Sequence, residues 1–278
     1  MTRLLITGGS GYLGRRLTRL AAAHFELGYT YFSQDPLGLE GGRRLDLRDE
    51  AAVSELVRAW RPEAIIHTAG SNRPAHMEEV IVRGAAHISA AAAAAGARLV
   101  HVSTDALFDG TAAPYDETAA PSPITAYGRA KAAAEHSVAG HPNHVIVRTS
   151  LIYGLDEMDH STAWTAAGLR AGRPVTLFLD QLRNPVWIDS LAGALLELVE
   201  HPLTGVLNVA GRQPMSRADF GLRLLDWWGV EERETLLLGP ADPAWPLDCR
   251  LDLGRAQAVL HTDLPGVDEA LAAHRPIW

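Results

Sequence analysis

Arg3-Leu4-Leu5-Ile6-Thr7-Gly8-Gly9-Ser10-Gly11-Tyr12-Leu13-Gly14 is a short apolar run that breaks into spaced glycines and resumes with helical periodicity at Tyr12. The setting, strand then turn then helix, gives Gly8, Gly11 and Gly14 their meaning. Bare backbone can approach a pyrophosphate closely, and a helix starting there points its free N–H groups and positive dipole end at the anion. Gly8, Ser10, Gly11, Tyr12, Leu13 and Gly14 are therefore the expected dinucleotide-contacting turn. A glycine-rich turn without a ligand is the bland alternative, and the setting weighs against it.

Working outward, residues 29–33, 64–68, 98–103 and 144–149 form further short apolar runs. Helical patterns occupy residues 12–24, 50–60, 76–95 and 125–139. Runs that are apolar throughout, rather than alternating, predict parallel strands covered on both faces. Strand and helix in turn predict an α/β fold, a doubly wound parallel sheet with right-handed crossovers. After Gly154 proline, glycine and tryptophan become frequent and the regularity loosens. We expect a dinucleotide-binding domain over residues 1–153, elements from 186–210 returning to it, and a smaller, interleaved substrate lobe over 154–278. The run Ala90–Ala95 reads equally as helix propensity and as a face for close packing, against the sheet or a second subunit.

Composition narrows the function. The 278 residues are 47% hydrophobic and 21% charged, enough for a substantial core. A formal charge of −8 argues against a nucleic-acid surface, and no stretch of 18 apolar residues suits a membrane span. The glycine turn comes too early for a signal peptide, and Cys249 is the single cysteine, so a cytoplasmic location is expected. The 12 histidines include no His-Glu-x-x-His pair, and no metal site is expected.

Tyr127 and Lys131 stand four apart on one predicted helix face. A free phenol titrates near 10, too high for ready proton exchange at neutral pH. A lysine cation and a helix start, both beside the phenol, would favour phenolate and bring that value down. Upstream, Ser103-Thr104-Asp105 ends a buried run, and strand ends at the carboxyl edge of a parallel sheet bind ligands. The Thr104 hydroxyl is placed to orient a carbonyl, with Asp105 near the substrate hydroxyls; capping of the following turn is the bland reading. For the cofactor, NAD-selective sites place a carboxylate some 20 residues past the glycines. Ser33 stands there instead, and Arg15 or Arg16 would meet a 2′-phosphate. NADP(H) is favoured, with NAD(H) kept open by the nearby Asp35. Asp46 and Leu47 suit the adenine edge.

Together these segments resemble the extended short-chain dehydrogenase/reductase superfamily, and within it the dTDP-4-dehydrorhamnose reductase family. The likeness rests on the glycine turn, Ser103 to Gly110, Tyr127 to Lys131, Arg148-Thr149-Ser150, Arg183-Asn184-Pro185 and Ser216 to Phe220. The resemblance implies that Thr104, Tyr127 and Lys131 are catalytic, that Lys131 also binds the nicotinamide ribose, and that Ala69, Gly70 and Ser71 border the cofactor. It implies reduction of the 4-keto group of a nucleotide-linked deoxysugar, substrate contacts from Thr104, Asp105, Leu151 and Arg183, and a homodimer through the two alanine-rich helices. Departures are Leu151 where a tryptophan is usual, Ile81 for a helix asparagine, and Arg15 for an acid that binds magnesium in some members. A sugar-nucleotide epimerase and a non-catalytic regulatory subunit, like that of methionine adenosyltransferase, are the alternatives. A 4,6-dehydratase is disfavoured by Ala106 after Thr104-Asp105.

Overall fold

The computed structural model describes residues 1–70 and 76–276. Six strands lead: β1 (Arg3–Thr7), β2 (Glu26–Tyr31), β3 (Gly42–Arg44), β4 (Ala64–His67), β5 (Arg98–Thr104) and β6 (His144–Thr149). With an edge strand, Gly205–Asn208, they form a seven-stranded sheet whose pairs are all parallel. From one edge the order is Gly205–Asn208, β6, β5, β4, β1, β2, β3. The chain thus winds outward in both directions from the neighbours β1 and β4.

The helices between them are α1 (Tyr12–Ala21), α2 (Glu50–Trp60), α3 (Gly84–Ala95), α4 (Ala126–Ala139), α5 (His160–Arg170), α6 (Ile188–Glu200) and α7 (Arg217–Trp227). Successive strand residues point to opposite faces, and both faces are covered. Leu4, Ile6, Ile66, Val100, Val145 and Val147 pack with α1 and α6. Leu5, Ile65, Leu99 and Ile146 pack with α2, α3 and α4. This is why the strand sequences lack alternation. Side-chain caps start the helices where the sequence supplies them: Asp49 accepts from Ala52 N for α2, and Thr125 from Gly128 N for α4.

Three boundaries differ from expectation. β2 begins at Glu26 and ends at Tyr31, because its register with β1 pairs Arg3 with Glu26 and Ile6 with Tyr29. Sheet pairing, not β-propensity, sets that strand. The first helix stops at Ala21, and the segment before α3 is a π-helical turn, Glu79–Arg83, that buries Ile81. Beyond β6 a second cluster of Tyr153, Met215, Phe220, Leu224, Trp227 and Val267 builds a smaller lobe on α7. Its tryptophans divide: Trp227 is core, whereas Trp164 and Trp245 are exposed.

Candidate active site

The glycine turn lies at the carboxyl edge between β1 and β4, where the winding reverses. Gly8 has φ +79°, a left-handed value that favours glycine, and Gly11 N donates to Gly8 O at 2.9 Å. A Cβ on Gly14 would sit 2.0 Å from Gly8 O, so this glycine serves the close approach of turn and helix. Among the described residues a Cβ on Gly11 would meet only Gly8 O, at 3.2 Å, and one on Gly70 only Ile81, at 3.9 Å, and neither would meet anything else. Both glycines line a cavity of about 570 Å³, together with Gly8 and Ser10, Thr30 to Phe32, Leu45 to Arg48, and Thr68 and Ala69. A cradle that side chains on Gly11 and Gly70 would fill is what a dinucleotide needs. Tyr12 donates its hydroxyl to Glu157 O, while Leu13 is buried in the core and contributes packing. Ser71 lies outside the described residues.

The 2′-phosphate position differs from the sequence expectation. Ser33 is exposed and two residues past the end of β2, and Phe32 lines the cavity instead. Arg15 donates to Ser10 O and pairs with Glu157, Arg16 pairs with Asp189 and Asp156, and neither lines the cavity. Arg48, which sequence reading missed, lines the cavity with its guanidinium 5.7 Å from the Phe32 ring centroid. Asp46 also lines the cavity, but Arg48 grips it through Nε at 2.9 Å and Nη2 at 2.6 Å. That pairing holds the Asp46 carboxyl below its usual range. The spacing Asp46-Leu47-Arg48 was a visible signal for a local charge clamp.

Thr104 ends β5, and Tyr127 sits in the first turn of α4, capped by Thr125. The Thr104 hydroxyl accepts from Ala106 N at 3.2 Å, so it also caps the turn after β5. Burial and the Asp105 charge push the Tyr127 phenol up to about 12, with a hydrogen bond to Thr104 opposing. Lys131 is buried, and its Nζ donates to Val102 O at 2.6 Å. Desolvation pushes this ammonium down to about 8, and Glu135 opposes. The expected acidification of Tyr127 by Lys131 is thus not present in this arrangement: the amine is turned to a strand carbonyl, and burial dominates the phenol.

Beneath these groups Glu135 accepts from Ser103 Oγ at 2.5 Å and from Arg148 Nη2 at 2.9 Å, and all three residues are buried. Ser103 therefore faces away from Thr104, as strand alternation requires. Asp105 and Arg183 were expected at the substrate, but both are turned inward. Asp105 is 4% exposed and accepts from Ser150 Oγ at 2.6 Å. Arg183 is 5% exposed, donates to the carbonyls of Leu182, Pro246 and Leu247, and lies 3.6 Å from Asp105. A buried charge must be paired and hydrogen-bonded, and these partners engage both groups. Leu151 packs against the lobe cluster of Tyr153 and Phe220.

The family is decided by extent: the model described as RmlD substrate binding domain matches residues 1–273. The chain belongs to this family. It is 33% identical over 230 residues to a dTDP-4-dehydrorhamnose reductase of Mycobacterium tuberculosis, covering 77% of this chain and 72% of that protein. It is 29% identical to methionine adenosyltransferase 2 subunit beta of Xenopus tropicalis, over 81% and 71% of the two chains. Among solved structures, a hypothetical dTDP-4-dehydrorhamnose reductase from Sulfolobus tokodaii superposes with a TM-score of 0.83 at 30% identity, covering 96% and 98%. No helix among the described residues is long and apolar enough to cross a membrane.

Proposed function

We propose that this chain reduces the 4-keto group of a nucleotide-linked deoxysugar, with NADP(H) preferred over NAD(H). The observation that carries the reading is geometric: a phenol in the first turn of α4, four residues from a buried lysine, beside a threonine at the carboxyl end of β5 and downstream of the glycine cradle. Gly8, Ser10, Gly11, Ala69 and Gly70 would hold the dinucleotide, with Leu47 and the Asp46–Arg48 clamp on its adenine side. When bound, the nicotinamide supplies a hydride to the carbonyl carbon. Thr104 orients the carbonyl oxygen, Tyr127 gives that oxygen its proton, and the product is the alcohol. Lys131, buried four residues on and turned here to Val102 O, would have to leave that carbonyl to place its charge by the phenolate that remains. Preference for NADP(H) no longer rests on Ser33 and Arg15. It rests on Arg48 and on the absence of a free carboxylate among the described cavity-lining residues, Asp46 being engaged by Arg48. The relatives named above as dTDP-4-dehydrorhamnose reductases support this substrate class.

Turnover of NADPH with keto-sugar nucleotides tests the reading, and no oxidation with any of them would sink it. The likeness to a methionine adenosyltransferase subunit favours a second reading, a nucleotide-binding regulatory protein. Cofactor binding without turnover, together with a catalytic partner that co-purifies, would support that one. The alanines of α3 at positions 90 and 93–95 are exposed and suit pairing of two copies through α3 and α4. A sedimentation mass of twice the 30.0 kDa chain is then expected.

A further inference from the structure

We propose that Arg217, with the Ser161 hydroxyl beside it, binds the diphosphate of a nucleotide-linked substrate. The inference rests on the reading that the substrate is a sugar nucleotide. Arg217 is the first residue of α7, and its main-chain N–H is anchored on Gln181 O at 2.9 Å. Its side chain is half-buried, yet among the described residues it makes no ion pair, and its hydrogen bonding is confined to Nη2 donating to Ser161 Oγ at 3.3 Å. Burial and the like charge of Arg183 disfavour the Arg217 cation, with Asp105 and Asp159 opposing.

Neither carboxylate lies within ion-pair distance of it, and each is held by other partners. Asp159 accepts from Ser161 N, Thr162 N and Thr162 Oγ1 as the cap of α5. Asp105 accepts from Ser150 and faces Arg183. Arg183 in turn commits three of its five donors to carbonyls and faces Asp105, whereas Arg217 has a single side-chain hydrogen bond and no ion pair among the described residues, so it is the guanidinium with more donors open. A cation partly withdrawn from water with donors still open is an incomplete site, and a phosphate matches the planar fork bidentately. The position is reachable, because Ser161 is exposed. It also lies within the electrostatic reach of the Arg183–Asp105 pair, whose Asp105 accepts from the Thr104 hydroxyl.

Calorimetric titration of the full chain with thymidine and uridine diphosphates, and separately with NADPH, tests the assignment. Arg217→Ala is expected to weaken the better diphosphate by about tenfold or more, because a charge-assisted hydrogen-bonding partner is removed, and to leave NADPH affinity unchanged. Arg217→Lys keeps the charge without the fork and should weaken binding less, and it keeps the test readable if the alanine variant folds poorly. In turnover the effect should appear in KM, with kcat little changed. The proposal is overturned if the parent protein binds neither diphosphate, if Arg217→Ala binds as tightly as the parent, or if NADPH is weakened to the same degree. Diphosphate binding that depends on Arg217 in a chain that turns over no keto-sugar would sink the reductase reading and leave this one standing.

Discussion

Tyr127 shows how burial works against an acid. Desolvation and Asp105 push its phenol up to about 12, so its proton leaves only as hydride arrival turns the carbonyl oxygen into a strong base. Tyr127→Phe is therefore expected to lower kcat by about 10²–10⁴-fold while NADPH affinity stays within about twofold. Stopped-flow turnover and a fluorescence titration check the two halves, and near-normal kcat would remove Tyr127 from the chemistry. The preference for NADP(H) also sits on one side chain. Arg48→Ala should weaken NADPH by about tenfold and NADH much less, because a 2′-phosphate is the group only NADPH carries. Equal weakening of both cofactors would place Arg48 elsewhere. Tyr127, Lys131 and Thr104 were visible in the sequence because their spacing has meaning within a strand–helix pattern. The inward turn of Arg183 and Asp105 was not, since it depends on carbonyls from residues 246 and 247.

At the level of elements, the glycine turn divides its work between fold and ligand. Gly14→Ala places a Cβ 2.0 Å from a backbone oxygen and should reduce stability. Gly11→Ala meets a single atom at 3.2 Å and should cost cofactor affinity more than stability. Parallel melts and NADPH titrations of the two variants distinguish these outcomes; identical behaviour would refute the division. Strands β4 and β5 carry a second element-scale feature, the stacked pair His67 and His101, with ring centroids 5.2 Å apart. Burial pushes His67 down to about 3 and His101 down as well, with Lys131 adding to both. Above pH 6.5 both are neutral, folded or unfolded. Below it only the unfolded chain takes up their protons, so stability falls with pH until the folded values are reached. Each histidine contributes about 1.4 kcal/mol per pH unit in that window. His101→Phe, which fills similar space without nitrogens, should reduce the slope of unfolding free energy between about pH 6 and 5 by about that amount. An unchanged slope in urea titrations would exclude the pair as the cause.

For the whole molecule, Arg98 at the start of β5 ties the sheet to the returning segment. It is 7% exposed and donates to Leu198 O at the end of α6, to Leu203 O before the edge strand, and to Asn143 Oδ1 before β6. Arg98→Met strands these acceptors and is expected to cost about 3 kcal/mol, with cofactor affinity little affected. A change below about 0.5 kcal/mol in chemical denaturation would show the tie to be dispensable.

The order of strands and helices followed from the amino-acid pattern, because a sheet covered on both faces demands uninterrupted apolar runs, and such runs are local in the chain. The phosphate turn and the Tyr127–Lys131 helix were equally local. Everything that depends on which distant segment supplies a partner was settled by folding. Pairing register moved β2 and took Ser33 off the cavity, Glu157 captured Arg15, and the carbonyls of the lobe enclosed Arg183. The donors and acceptors of a charged side chain are taken up by whatever neighbours three dimensions provide, and no spacing rule along the chain encodes that choice.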